Sequence, residues 1–342
     1  MKRTITWLIF FFLCHPELSA QSVDNASSPS PSYRIMFYNV ENFFDADTDT
    51  TRTYNEFTPG GDLHWTPIKV VAKRNALYKV ITAVGGWSPP AIIGMAEVEN
   101  RRVLEQLINQ TPLNKHGYKI IHYDSPDFRG IDAAILYSPA FTLLHAQRIS
   151  VTDPDDSTFK TRDMVYAKGL LKGDTLHFIV NHWTSRYRGL LESLPKRILQ
   201  ARQLLRVTDS ICTRNPEAHI ILTGDFNDSP ADESMQLLVE PGHACTFINL
   251  PMKATNKNVL GTLKYQGHWS VFDQMLVTKN LLEESGKLSV VEGKGVIFSE
   301  SFILEKDKKF GGYQPYRTNI GFTYHGGFAD HLPVYIDLKN GK

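Results

Sequence analysis

Between Tyr33 and Leu338 the chain runs in short apolar stretches separated by polar ones. "YRIMFYNV", "AIIGMAEV", "YKIIHY", "DAAILY", "FTLLHAQRI", "MVYAKGLL", "TLHFIVNHW", "HIILTGDF", "SVFDQMLV" and "LPVYIDL" are rich in β-branched and aromatic residues and read as strands. "IKVVAKRNALYKVITAV", "RRVLEQLINQ" and "LPKRILQARQLLRVTDSIC" repeat apolar residues at intervals of three and four and read as helices. So many strands against so few helices do not suit a simple doubly wound sheet. Two mixed β-sheets packed face to face, with the helices outside, accommodate the count. No repeat or shift of composition interrupts residues 33–340, which are therefore expected to form one domain.

The pattern at the start of the chain is different. Lys2 and Arg3 precede the apolar run "TITWLIFFFLC", then "HPELSA" and Gln21, the layout of a signal peptide cleaved after Ala20. The run is short for a membrane span. Cys14 raises a lipoprotein alternative, against which Phe12 and Leu13 are bulky where a small residue is wanted. Residues 1–20 are thus expected to be a leader, 21–32 ("QSVDNASSPSPS") a flexible lead, and the product secreted or periplasmic, with no integral membrane segment, as a monomer.

Charge narrows the chemistry. The full chain has 37 Lys and Arg against 36 Asp and Glu, and loss of Lys2, Arg3 and Glu17 with the leader leaves it formally neutral. A general field that would hold a polyanion is absent, although a local basic groove is not excluded. Cys212 and Cys245 then remain and permit at most one disulfide; their pairing is left open by the sequence.

Several strands end in the same way. Asn39 and Glu41, Glu97 and Glu99, Asn181 and His182, and Asp225 and Asn227 each follow an apolar run; Asp273 lies within one, and Asp330 and His331 precede the last. One polar strand end is a cap or a turn. A repeated set of Asn, Asp, Glu and His points to a shared site. Oxygen donors of this kind suit Mg²⁺, with Mn²⁺ or Ca²⁺ as alternatives, and the scarcity of cysteine argues against structural zinc. Such an ion beside histidines suits phosphoester hydrolysis by activated water. No Gly-rich phosphate cradle and no Ser or Cys in a nucleophile setting appears.

The ordered motifs "FYNVEN", "GMAEVEN", "VNHW", "TGDFND", "VFDQMLV" and "ADHLPV" resemble the endonuclease/exonuclease/phosphatase superfamily, which includes deoxyribonuclease I, neutral sphingomyelinases and inositol polyphosphate 5-phosphatases. The resemblance implies an α/β fold, a four-layer sandwich of two packed mixed β-sheets flanked by helices. It implies that Glu97 is the main metal ligand, with Asn39 and Asp330 near the same ion. Asp225 would orient or activate the attacking water, Asn227 would hold it, His182 and His331 would contact the scissile phosphate, and Asp273 would fix the tautomer of a histidine, His331 first.

Further candidates lie outside those motifs. In "DFRGIDAAILY", Asp132 is a candidate partner for His182 and Arg129 a candidate phosphate ligand; Arg162 and Arg186 are candidates for gripping the substrate backbone. Two departures matter. Glu99 stands where deoxyribonuclease I-like enzymes carry a basic residue, and His182 stands where apurinic-site endonucleases have tyrosine. The expected substrate is nucleic acid, with a phosphatase or a phospholipase C-like action on a smaller phosphoester as the alternative.

Overall fold

A computed structural model describes residues 32–48, 54–283 and 287–340. The expected leader 1–20, with Cys14, and the lead up to residue 31 lie outside them. In chain order the strands are β1 (Ser32–Phe43), β2 (Ile92–Val98), β3 (Lys119–His122), β4 (Asp132–Tyr137), β5 (Phe141–Ile149), β6 (Met164–Leu171), β7 (Asp174–His182) and β8 (His219–Asp225). Shorter pieces follow: β9 (Phe247–Asn249), β10 (Met252–Ala254), β11 (Leu263–Tyr265) and β12 (His268–Ser270). After β13 (Asp273–Thr278) come β14 (Leu288–Val290), β15 (Gly295–Ile297), β16 (Leu304–Lys306), β17 (Tyr313–Pro315), β18 (Asn319–Ile320) and β19 (Thr323–Tyr324), and β20 (Val334–Asn340) ends the fold. The helices are α1 (Pro67–Gly85), α2 (Arg101–Asn109), α3 (Leu190–Arg214) and the single turn α4 (Glu233–Leu237).

Two mixed sheets carry the structure. One has the order β10-β15-β20-β1-β2-β4-β3, with β14 also on β20; the other runs β5-β6-β7-β8-β13-β9. The pairs β1–β2 and β7–β8 are parallel. The period-two alternation of the second sheet assigns its faces. Phe178, Val180, Ile221, Met275 and Val277 point into the core shared with the first sheet, whereas Ile179, Ile220, Leu222 and Leu276 point outward into a separate core with Ala201, Leu204 and Leu205 of α3. Leu77, Val80, Ile81 and Val84 of α1 and Val103, Leu104 and Leu107 of α2 close the first sheet. The result is helix, sheet, sheet, helix, four layers as expected.

Gly94 explains how closely the sheets meet. A Cβ there would lie 2.7 Å from Val180 Cγ2 across the interface, so β2 approaches β7 at a position with no side chain. Cys212 of α3 is bonded to Cys245, ahead of β9.

Candidate active site

The site forms where the two sheets meet at one end, and β8 is its centre. In register, Asp225 lies beside His182 on β7 and opposite Asp273 on β13. This close packing depends on Gly224, where a Cβ would lie 2.2 Å from the Asn181 carbonyl oxygen. Asp225 Oδ2 is 3.7 Å from His182 Nε2 and 3.7 Å from His331 Nε2, and accepts a hydrogen bond from Asn39 Nδ2 at 3.0 Å. Asp225 Oδ1 accepts from the Asn227 backbone N–H at 2.9 Å. The first sheet therefore supplies Asn39 and, just ahead of β20, His331, and the second supplies Asp225, Asp273 and His182.

Bulges aim the remaining groups. The β1–β2 register shifts between Asn39 and Phe43, and the β2–β4 register between Ala96 and Val98. Within these irregularities Glu41, Asn42 and Glu97 adopt φ of 51°, 55° and 65°, and Asn227 adopts 52° beyond β8. Left-handed backbone at non-glycine residues costs energy and concentrates at functional sites. Here it turns Glu97 out of the strand so that its carboxylate accepts from Asn42 N at 3.0 Å, with Oε1 3.4 Å from Asn39 Nδ2 and 3.8 Å from His182 Nε2.

The two histidines have opposite electrostatics. His331 Nδ1 is 2.7 Å from Asp273 Oδ2; burial acts against its charge, but Asp273 and Asp225 outweigh burial and hold its pKa well above the ordinary value. His182 Nδ1 is buried with no hydrogen-bond partner among the described residues. Burial, with Arg162, Arg129 and His331 nearby, pushes its pKa well down, so His182 is neutral. For Asp225, burial raises the pKa to about 6, His331 opposing and Asp273 adding to the rise. One acid and two histidines thus present a base poised near neutrality, an imidazolium and a neutral imidazole.

The model of the Endonuclease/Exonuclease/phosphatase family matches residues 34–340. The chain belongs to that family. Solved structures share its fold: an endonuclease/exonuclease/phosphatase family protein from Bacteroides thetaiotaomicron (15% identity, 90% of this chain and 98% of that one, TM-score 0.56); truncated TDP2 from Caenorhabditis elegans (16%, 90% and 98%, 0.55); and a mannosyl-6-phosphatase from Bacteroides thetaiotaomicron (16%, 90% and 99%, 0.57). No curated protein matches the chain. Enzymes of the endonuclease/exonuclease/phosphatase family are phosphoester hydrolases.

The fold engages three of the further candidates with other partners. Arg162 is buried; its Nε donates to the His182 carbonyl at 3.1 Å, NH2 to the Trp183 carbonyl at 2.5 Å, and NH1 to Asp127 at 2.9 Å. It braces the end of β7, and only 6% of its side chain is exposed. Arg186 donates to the Asn227 carbonyl at 2.6 Å and to Asp228 and Asp232 at 2.5 Å each, fastening the turn after β8. Asp228 itself is fully buried between Arg186 and Arg197. Asp132 pairs with His122 Nε2 at 3.1 Å and accepts from Ser125 N at 2.9 Å, so it is not the partner of His182. Asn227 Nδ2 donates to the Trp183 carbonyl at 3.1 Å. Arg129 fits its candidacy better: a quarter of its side chain is exposed, and its nearest carboxylate, Asp127, is 3.8 Å away.

Asp330 is paired with Arg317 at 2.6 Å. Burial opposes its charge, but His331 and Arg317 prevail and lower its pKa. Behind it lie Glu41, one of the polar strand ends, and Lys73, which sequence reading passed over. Glu41 accepts from the Thr318 and Asn319 backbone N–H groups at 2.6 and 3.2 Å, and Lys73, 1% exposed, donates to Thr318 Oγ1 and the Phe328 carbonyl at 2.5 Å each. Burial, reinforced by Asp330 and opposed by Lys73, lifts Glu41 to about 7; burial lowers Lys73 to about 8 against the pull of Glu41 and Asp330. One signal for Lys73 existed: it falls on the buried stripe of α1 between Val70 and Leu77.

Glu97 and Asp225 each bring a carboxylate oxygen to Asn39, whose Nδ2 lies 3.4 and 3.0 Å from them, and carboxylate oxygens of this kind fit a hard divalent cation. Elsewhere His122, Asp124 and Asp132 bring ligand atoms within 4.8 Å of one another. That group is accounted for by the His122–Asp132 bond, and Asp124 is exposed. Among the described residues no helix is long and apolar enough to cross a membrane.

Proposed function

We propose that the protein is a divalent-metal-dependent phosphodiesterase that hydrolyses nucleic acid by direct attack of water, acting as a monomer in a secreted or periplasmic setting. The observation that carries this reading is the placement of Asp225 at 3.7 Å from both histidine Nε2 atoms, one on an imidazolium and one on a neutral ring. Water held on Asp225 loses its proton to a carboxylate whose pKa lies close to working pH, the condition for efficient general base catalysis. His331, kept charged by Asp273, donates from Nε2 to a phosphoryl oxygen as negative charge builds there. His182, neutral and braced by Arg162 through its carbonyl, donates or accepts at Nε2 without adding charge. Glu97, with Asn39 and Asp330 nearby, would hold Mg²⁺ or Mn²⁺, which when bound supplies charge neutralisation at the phosphate. Arg129 gives the phosphate a partly exposed cation. The Cys212–Cys245 bond supports an oxidising compartment.

A second reading, hydrolysis of a small phosphoester, is favoured by the engagement of Arg162 and Arg186 with protein acceptors, which leaves fewer donors for a polyanion. The similar fold of a mannosyl-6-phosphatase supports the same alternative. Residues 21–342 should be assayed with Mg²⁺, Mn²⁺ and Ca²⁺ on plasmid DNA, RNA, phosphomonoesters and bis(p-nitrophenyl) phosphate. Chelator-sensitive cleavage of nucleic acid supports the first reading. Turnover of monoesters with nucleic acid left intact replaces it with the second.

A further inference from the structure

Lys73 brings an ammonium group onto the buried stripe of α1, between Val70 and Leu77, and its side chain is almost wholly inaccessible. An ammonium in such a place costs free energy that an apolar side chain of similar length would not. Its contacts close a neck in the chain. Nζ donates to Thr318 Oγ1 and to the Phe328 carbonyl at 2.5 Å each, and Thr318 Oγ1 itself donates to that carbonyl at 3.1 Å. Residues 319–327 loop out between those two points and carry β18 and β19. At the foot of the loop the Phe328 and Gly327 backbone N–H groups donate to the Tyr316 and Arg317 carbonyls at 2.6 and 3.1 Å.

The neck adjoins the reaction centre on both sides. Asp330 and His331 follow Phe328 by two and three residues, and Arg317, next to Thr318, grips Asp330 at 2.6 Å. Glu41, in the β1 irregularity two residues past Asn39, accepts from the Thr318 and Asn319 backbone N–H groups at 2.6 and 3.2 Å. One side chain of α1 is thereby tied to the segment that bears Asp330 and His331 and, through Thr318, to the strand that bears Asn39. The acids whose charges act on Lys73 are Glu41, Asp330 and Glu97, so an ammonium that merely offsets their charge is the competing account. Both acceptors of Nζ at the neck are uncharged oxygens, and what they fix is geometry. Given the metal-dependent phosphoester hydrolysis proposed above, we infer that Lys73 is a positioning residue for that reaction: by pinning Thr318 and Phe328 to α1 it sets the place of Asp330 near the metal and of His331 at the phosphate.

Two variants separate position from charge. Thr318→Val keeps every charge and the branched shape of the side chain and removes only the hydroxyl; its reference is the wild-type chain. Lys73→Met combined with Glu41→Gln removes one cation and one acid together; its reference is Glu41→Gln alone. Each protein is melted, titrated with Mn²⁺ by calorimetry, and assayed on bis(p-nitrophenyl) phosphate at saturating Mn²⁺. Both variants should bind Mn²⁺ about tenfold more weakly than their references and lose about tenfold in kcat, as loss of a group that orients metal ligands commonly does. KM should stay within about twofold, because the interaction acts on the reacting geometry and not on uniform binding. If either the Mn²⁺ affinity or kcat stays at its reference value in a folded variant, whatever its melting temperature, the positioning role is overturned and the hydrolase stands. Should the combined variant fail to fold, Thr318→Val decides by the same two measures. Should the wild-type chain turn over no phosphoester, the hydrolase reading fails separately and calorimetry decides alone. Weaker Mn²⁺ binding in the folded variants then sustains the tie between Lys73 and the metal site, and equal binding, or none in the wild-type chain, overturns it.

Discussion

His331 Nδ1 lies 2.7 Å from Asp273 Oδ2, on a strand that also sets Asp273 opposite Asp225. The pair keeps one imidazole charged in a buried site where its counterpart, His182, is neutral. Because the folded pKa of His331 is raised, the pairing contributes stability in full below the unfolded value of about 6.5 and loses it as pH climbs through the folded value. Asp273→Asn should lower the His331 pKa and erode activity from the alkaline side of the profile first. An NMR titration of His331 beside a pH–rate profile checks both; an unmoved histidine would mean that Asp273 serves only its strand.

Asp225 shows linkage of the same sign, although here the charged form is the one that folding disfavours. Its folded pKa of about 6 lies above the ordinary 3.8, so the folded state holds the proton more tightly and loses stability as pH rises between those values. Asp225→Asn should lower turnover a hundredfold or more, as removal of a general base commonly does. In metal-free protein at pH 7 it should raise the melting temperature by a few degrees, a gain that vanishes near pH 4, since each displaced pKa unit is worth about 1.4 kcal/mol. Calorimetry at the two pH values measures the sign.

Glu97→Gln removes a formal charge beside the Asn39 amide while the side chain keeps its shape. The concentration of Mg²⁺ or Mn²⁺ needed for half-maximal rate should rise at least tenfold, with partial recovery at high metal, because hard cations discriminate strongly for carboxylate over amide. Full activity of the variant in chelator would remove Glu97 from the metal site.

Arg162 is expected to act through position. Arg162→Met leaves Asp127 charged and buried and takes one donor from each of two carbonyls, at a cost of about 3–5 kcal/mol. Arg129→Ala, by contrast, should leave the melting temperature within about 1 °C, as surface substitutions do, and raise KM for a phosphodiester severalfold. Thermal melts with steady-state kinetics on both variants separate the two roles; a destabilised Arg129→Ala would reverse the assignment.

The long elements were readable because their periods are long enough to register. Each of the runs taken as strands lies on one of β1–β8, β13 or β20, and the three helical runs lie on α1, α2 and α3. What escaped was the region from Phe247 to Tyr324 outside β13, where strands of two or three residues carry no alternation. The polar strand ends marked the site because acids are costly where core strands surface. The partners of Arg162, Arg186 and Asp132 were illegible for a common reason: Asp127, Asp228 with Asp232, and His122 are placed beside them only by the fold.

Cys212 and Cys245 stand 33 residues apart, and between them run β8, Asp225, Asn227 and the turn that Arg186 and Arg197 secure. Asp225, the proposed base, is therefore carried on a covalent ring. A protease cutting once inside that ring would yield fragments that migrate as one species until a reductant is added, and the severed chain would retain both flanks of the β8 turn in a single molecule.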